Sequence, residues 1–367
     1  MFLIDWAKSA FSWIYDKLTT DDAERVENAY HTLEETIIGS PAMCEWLKRS
    51  GWKASGGDAL AAMRNPLTRD AAIFDAINSF YQADDNAARI IERFTEHGLN
   101  NGTTTRAYVI NSGEGSIGQS KSNHQGALLV DESASPPRVT LVLRGMNPTR
   151  DWRSPVSGLW DALMGRSSSE CQAQADQFWD GAKDDITRIM SEVAARHPGQ
   201  VLEITVAGHS YGSDAAARLI PKMAAAFPAS KDTLQLVGYG AMRSFTRAER
   251  DNIMAQLGND GQRARQYMTR NDWINYAGLG QIVGTERDIP IDAGHLGYDQ
   301  AGDLQAMMAA LHAQMAADPK QAEQRAKALV EQYKRDPNAT LASLAAYTSA
   351  PPEGTAPTLA GTSRAVV

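Results

Sequence analysis

Three features of the amino-acid sequence predict an α/β layer structure. β-rich runs begin near residue 104, helical periodicity fills the gaps between the later runs, and one run passes through a Gly-x-Ser-x-Gly turn straight into a helix. The 367 residues are 43% hydrophobic and 22% charged, which supplies the core of one large domain or two modest ones.

Taken in order, residues 1–100 read as a helical N-terminal region packed on the core. Apolar residues recur at helical spacing in Leu3, Ala7, Ala10, Ile14, Leu18 and again in Ala71, Ile73, Ile77, Phe80, and no strand signal interrupts them. Within residues 1–18, Phe2, Ile4, Trp6, Phe11, Trp13 and Tyr15 widen the apolar face beyond a core stripe. Packing on the protein and an interfacial membrane helix both account for such a face; the mixed rather than basic charges favour packing.

Residues 101–300 hold the β-rich runs: Thr104 to Asn111, Ala127 to Asp131, Val139 to Arg144, Val201 to Ala207 and Leu234 to Gly240. The first two flank Gly113-Glu-Gly115-Ser-Ile-Gly118, a GxGxxG string with Asp131 beyond it. A dinucleotide site needs a crossover helix after the glycines, and the few polar residues present there are too short for one. A polar hairpin loop between antiparallel strands is the expected reading. Residues 301–336 return to helix, with Leu304, Met307, Met308, Leu311 and Met315 as core filling. Residues 337–367 are rich in Ala, Pro, Thr, Ser and Gly and read as a partly flexible tail, without periodicity after Pro351.

Charge and cysteine usage remove several functions. With 36 Lys plus Arg against 44 Asp plus Glu the net charge is -8, the wrong sign for neutralising phosphates, so no nucleic-acid partner is expected. Cys44 and Cys171 lie far apart without CxxC or Cys/His spacing, so neither a metal site nor a disulfide framework is expected. No run has the roughly 18 uninterrupted apolar residues of a spanning helix. The start lacks a basic stretch and carries Asp5 within its apolar run, unlike a signal peptide. The expectation is a chain that is cytoplasmic at synthesis, any export being by a leaderless route.

The chemistry concentrates at Gly208-His209-Ser210-Tyr211-Gly212, between a strand and a helix. A serine at such a sharp turn is held in a strained conformation above the sheet, and small residues two before and two after let neighbouring backbone pass. Serine is a weak nucleophile at neutral pH and needs a histidine base with an acid to orient it. His209 adjoins the serine, His31 and His97 belong to the helical front, and His124 and His197 precede the nucleophile. In α/β-hydrolases the order is Ser, acid, His, which leaves His295, in a glycine-flanked loop, and His312, on an amphipathic helix that suits a structural role. Asp272 follows a short strand run from Ala264 and is the candidate acid. Asp288 and Asp292 are rivals in an Ile/Pro-bearing segment without an expected strand leading into them.

The serine turn, the Asn271-Asp272-Trp273 segment, the His295-Leu-Gly loop and the upstream Val139-to-Trp152 stretch with Arg144-Gly145-Met146 together resemble the class 3 lipases, α/β-hydrolases related to fungal triacylglycerol lipases. The resemblance spans about residues 138 to 300. It implies an α/β-hydrolase fold, here with an N-terminal helical extension and a C-terminal helix plus flexible tail. It also implies Ser210 as nucleophile, Asp272 as orienting acid and His295 as base, with the backbone amides of Met146 and Tyr211 as oxyanion donors. Met146 stands where the family has a hydroxyl residue, and Tyr211 and Ser213 replace the usual Leu and Gly. The family's lid interval corresponds to an amphipathic stub bearing Leu159, Trp160, Leu163 and Met164 between Gly158 and Gly165; a static packed helix is the alternative.

The expected activity is carboxylic ester hydrolysis on acyl lipids, at a membrane or lipid interface and without cofactor or metal. A soluble-substrate esterase or thioesterase, a bacterial phospholipase delivered by contact-dependent secretion, and a non-catalytic scaffold that kept the hydrolase fold are the alternatives.

Overall fold

The computed structural model describes residues 20–33, 36–37, 40–50, 58–64, 69–83, 86–145, 169–270, 280–292, 307, 311, 315 and 318–348. Among them are helices α1 (Thr20–Leu33), α2 (Pro41–Ser50), α3 (Ala59–Arg64), α4 (Arg69–Gln82) and α5 (Ala87–Glu96), then strands β1 (Thr105–Ile110), β2 (Gly126–Asp131) and β3 (Arg138–Leu143). Helix and strand then alternate through α6 (Ser169–Arg196), β4 (Glu203–His209), α7 (Tyr211–Ala226), β5 (Gln235–Tyr239), α8 (Arg247–Gln256), β6 (Ala264–Arg270) and β7 (Thr285–Asp292). Helices α9 (Pro319–Arg335) and α10 (Pro337–Thr348) follow. The described residues fall into two compact units, one drawn from the stretches Met1–Gly57, Ala61–Ala71 and Gly302–Val367 and the other from Asp58–Leu60 and Ala72–Ala301. The described helices of the first hundred residues are thus divided between the two.

The first unit joins the two ends of the sequence. Val26, Ala29 and Leu33 form the buried stripe of α1, and Ala322, Ala326, Leu329, Val330 and Tyr333 that of α9, against which α1 packs. Helix α2 packs on α10, and the hydroxyls of Ser40 and Tyr333 share a 2.6 Å hydrogen bond. Met307, Leu311 and Met315 are fully buried, four residues apart on one helical face. The segment from Pro337, read from composition as tail, is helical through Thr348. Pro337 supplies a first-turn residue that needs no amide partner, and the Asp336 carboxylate accepts from the Ala339 amide at 3.0 Å. Alanines on every side blur its period, which hides it from a periodicity search.

The second unit is an α/β structure. Its seven described strands form one sheet in the order β1-β2-β3-β4-β5-β6-β7. The β1–β2 and β2–β3 pairs are antiparallel, and β3 through β7 are parallel. The string Gly113–Gly118 lies in the β1–β2 connection, where Ile110 pairs with Gly126 and all three glycines have positive φ, so it is a hairpin loop. The Asn111 side chain braces that loop, donating to the Ser122 and His124 carbonyls at 2.8 and 2.7 Å and accepting from the Ser120 amide at 3.1 Å. All of β2 and the interior of β4 are buried, as sheet strands covered on both faces must be. Phe178, Ile186, Met190 and Val193 of α6 and Leu219, Ile220 and Met223 of α7 cover one of those faces. Thr246 and Glu249 close a reciprocal capping box at the start of α8.

One expectation is corrected. Asp288 and Asp292 lie on a strand, β7, with Asp292 at its C-terminal end in register with Arg270 of β6. The segment Thr-Glu-Arg-Asp-Ile-Pro-Ile-Asp has too many charges and a proline to read as a core strand. It pairs on only one side among the described strands, where a proline is tolerated.

Candidate active site

The β4–α7 turn carries the site. Ser210 has φ 52° and ψ −122°, a region that L-residues seldom occupy and that costs about 1–3 kcal/mol. Its surroundings enforce this. The Ser210 amide donates to the Tyr239 carbonyl of the neighbouring strand β5 at 2.7 Å, and the Ser210 carbonyl accepts from the Ser213 amide at 2.9 Å. Ser210 precedes α7 without using its hydroxyl as a cap, leaving that group for other work.

The flanking glycines are steric requirements. A Cβ on Gly208 would lie 2.1 Å from the Gly212 carbonyl oxygen, and one on Gly212 would lie 2.4 Å from that of Arg144. The turn is therefore wedged against the end of β3, and Leu143 is in register with Gly208. A Cβ on Gly145 would come within 3.1 Å of the Ser210 Cβ, so the Arg144-Gly145 backbone passes beside the serine. The fully buried Arg144 folds back there, donating to the Gly145 carbonyl at 2.5 Å and to the Gln125 side chain at 3.0 Å.

His209 is occupied elsewhere. Its Nδ1 lies 2.8 Å from the Tyr81 hydroxyl, and its ring meets Phe74 edge-on at 5.5 Å. Phe74 and Tyr81 are seven residues apart on α4 and share a face. The Tyr81 oxygen also accepts the Gly145 amide proton at 2.7 Å, so one hydroxyl meets both Gly145 and His209. Burial holds the His209 pKa down at about 4, which keeps the imidazole neutral. Tyr211 stacks on His124 with centroids 4.5 Å apart, and the Ser213 hydroxyl donates to the Gln266 side chain of β6 at 3.1 Å.

Behind the turn, α7 carries a buried ion pair. Arg218 Nε donates to Asp214 at 2.8 Å with both side chains almost wholly enclosed. Ser244 donates to the same carboxylate, while Arg218 reaches Gln172 and Glu249 and lies over the Phe245 ring at 4.5 Å. The network ties α7 to α6, α8 and the loop after β5.

Of the sequence-derived site residues, Ser210 and Tyr211 stand together at the head of α7. Met146, Leu159, Trp160, Leu163, Met164, Asp272 and His295 lie outside the described residues. In sequence, Met146 comes three residues after the end of β3, Asp272 two after β6 and His295 three after β7. Tyr81 and the Asp214–Arg218 pair are the residues that sequence reasoning missed; neither carries a motif. Among the described residues no group of three His, Cys, Asp or Glu side chains is gathered to hold a metal, and no helix is long and apolar enough to cross a membrane.

No protein-family model matches the chain, and no curated protein matches it. Solved structures of lipases are similar to it at a low level. A mutant form of MDLA from Penicillium cyclopium matches at 23% identity over 46% of this chain and 59% of that one, with a TM-score of 0.31. The lipase from Rhizopus microsporus var. chinensis matches at 15% over 60% and 76%, TM-score 0.40. Lipase II from Rhizopus niveus matches at 16% over 55% and 74%, TM-score 0.35. The chain thus spans about three-fifths of the length of the Penicillium protein. At these values the chemistry has to be read from the residues of the chain itself.

Proposed function

We propose that the second unit is a serine carboxylic ester hydrolase acting on acyl lipids. The observation that carries the proposal is the backbone of Ser210, held at positive φ between two glycines whose hydrogens face backbone carbonyl groups. That conformation is costly, and a structural serine would gain nothing from it. Strands β3, β4, β6 and β7 run parallel, so their C-terminal ends share one edge of the sheet, where α/β structures bind ligands. Each leads within three residues to one proposed participant: Met146, Ser210, Asp272 and His295.

In the reaction, His295 takes the Ser210 proton as the hydroxyl attacks the ester carbonyl, and Asp272 orients the imidazole and stabilises its charge. The tetrahedral oxyanion is met by the backbone amides of Met146 and Tyr211. His295 then protonates the leaving alcohol, and water repeats the sequence on the acyl-enzyme. Asp292, at the end of β7, is the rival for the acid because it too ends a parallel strand. The stub with Leu159, Trp160, Leu163 and Met164 is proposed as a lid that meets the lipid.

Incubation with mixed phospholipids and triacylglycerols, followed by mass analysis of released fatty acids, tests the reading. Release by wild type and none by Ser210→Ala is expected. A fluorophosphonate probe that never labels wild type, or that labels Ser210→Ala equally, would overturn it. Asp272→Asn and Asp292→Asn separate the two acids, since only the true one lowers kcat by several orders of magnitude.

A further inference from the structure

Helix α4 is outside the motif-bearing region, yet it places one hydroxyl between the two backbone segments that acyl transfer has to hold in register. The Tyr81 oxygen accepts the Gly145 amide proton at 2.7 Å and shares a 2.8 Å hydrogen bond with His209 Nδ1, on the residue next to Ser210. The fit is tight, because a Cβ on Gly145 would stand 2.7 Å from the Tyr81 oxygen, 2.7 Å from the His209 carbonyl and 3.1 Å from the Ser210 Cβ. The Gly145 carbonyl is held separately by Arg144. A peptide is planar and trans, so the direction of that carbonyl sets the direction of the N–H that follows it.

We infer that Tyr81 is a positioning residue for the acyl-transfer site, its hydroxyl bridging Gly145 and His209 to fix the spacing between the oxyanion segment after β3 and the Ser210 nucleophile. The inference rests on Ser210 being that nucleophile. The geometry has the required partners: the Gly145 amide donates to the phenol oxygen, and a neutral imidazole can meet the phenol through Nδ1 as acceptor in one tautomer and as donor in the other. Its Nε2 is shielded from solvent, and the Phe74 ring closes one side, so water is a poor substitute for the phenol at this point. A helix from the N-terminal part of the chain would thereby become part of the catalytic apparatus without touching substrate.

The test compares Tyr81→Phe, His209→Asn and His209→Leu with wild type. It reads kcat and KM on a soluble p-nitrophenyl butyrate substrate, with active sites counted by fluorophosphonate labelling. Tyr81→Phe keeps the ring and removes the bridge; kcat per labelled site should fall about ten- to a hundredfold with KM within about twofold, less than the loss of an oxyanion donor itself. Asn can present either an amide oxygen or an amide N–H where Nδ1 lies, so His209→Asn should stay within about threefold of wild type. His209→Leu should match Tyr81→Phe. Unchanged kcat per site in Tyr81→Phe overturns the inference, as does a loss confined to the number of labelled sites, which marks a folding role. His209→Asn falling as far as His209→Leu overturns it too. Wild type that does not label at all overturns the nucleophile reading and the positioning role with it, a pattern distinct from wild type that labels while Tyr81→Phe is unimpaired.

Discussion

Gly212→Ala sets two physical effects against each other. In a helix, replacing glycine by alanine is worth up to about 1 kcal/mol in favour of folding. At this site the added methyl would lie 2.4 Å from the Arg144 carbonyl oxygen and 2.7 Å from that of Leu143, both backbone atoms that cannot rotate away. Reaching the roughly 3.0 Å minimum seen for real Cβ atoms requires α7 and the end of β3 to separate by about 0.6 Å. Overpacking of this kind costs about 1–3 kcal/mol, so the net change is a destabilisation of roughly 1–2 kcal/mol. In a unit of this size that lowers the melting temperature by about 3–6 °C. The same displacement moves Ser210 away from the segment leading to Met146. A misplacement on the order of 1 Å costs about a hundredfold in rate, so a ten- to hundredfold fall in fluorophosphonate labelling is expected. Thermal unfolding followed by circular dichroism, together with labelling rates at matched folded fraction, checks both numbers. An alanine variant that melts at or above the wild-type temperature and labels at the wild-type rate would refute the reasoning.

Three other outcomes are expected. The His209 pKa of about 4 lies below its ordinary 6.5, so the unfolded chain binds a proton that the folded one refuses; stability from this group is complete above pH 6.5 and falls by up to about 3 kcal/mol as pH drops to 4. Urea titrations across that window should show a shallower fall for His209→Asn than for wild type. Arg218→Ala strands the Asp214 carboxylate and should cost about 3–5 kcal/mol in urea unfolding, whereas the paired replacement Asp214→Leu with Arg218→Met should cost much less, the desolvation of both charges having been removed. Tyr333→Phe, which deletes the hydroxyl bonded to Ser40, should lower the stability of the first unit by about 1 kcal/mol, as resolved by hydrogen exchange in α1 and α9.

The serine turn was legible because its chemistry is local: five consecutive residues dictate the glycines, the strand before and the helix after. Strand β6 was legible for the same reason, its run from Ala264 ending beside Asn271. Strand β7 was not, since its charges and Pro290 disguise it and only pairing with β6 makes it a strand. Helix α10 lacks a polar face to give it a period, and its buried Leu341 and Leu344 are identified by α2 packing on it. The role of Tyr81 is beyond sequence reading in principle. The helical pattern of α4 marks which residues face inward, but a hydroxyl's partner more than a hundred residues away in the chain is decided by tertiary geometry. Likewise the division of the N-terminal helices between two units follows from contacts that periodicity does not encode.

The first unit has an order of assembly written into it. Helices α1 and α2 leave the ribosome before the second unit, but α9 and α10, which cover their apolar stripes, leave only after the whole second unit has been made. The second unit draws almost all its chain from one continuous stretch, and domains generally fold as units during synthesis. Until then Val26, Leu33 and Leu47 have no α9 or α10 to cover them, and apolar side chains exposed in this way favour aggregation. A premature stop before Pro319 would strand those helices permanently while sparing the stretch that holds Ser210.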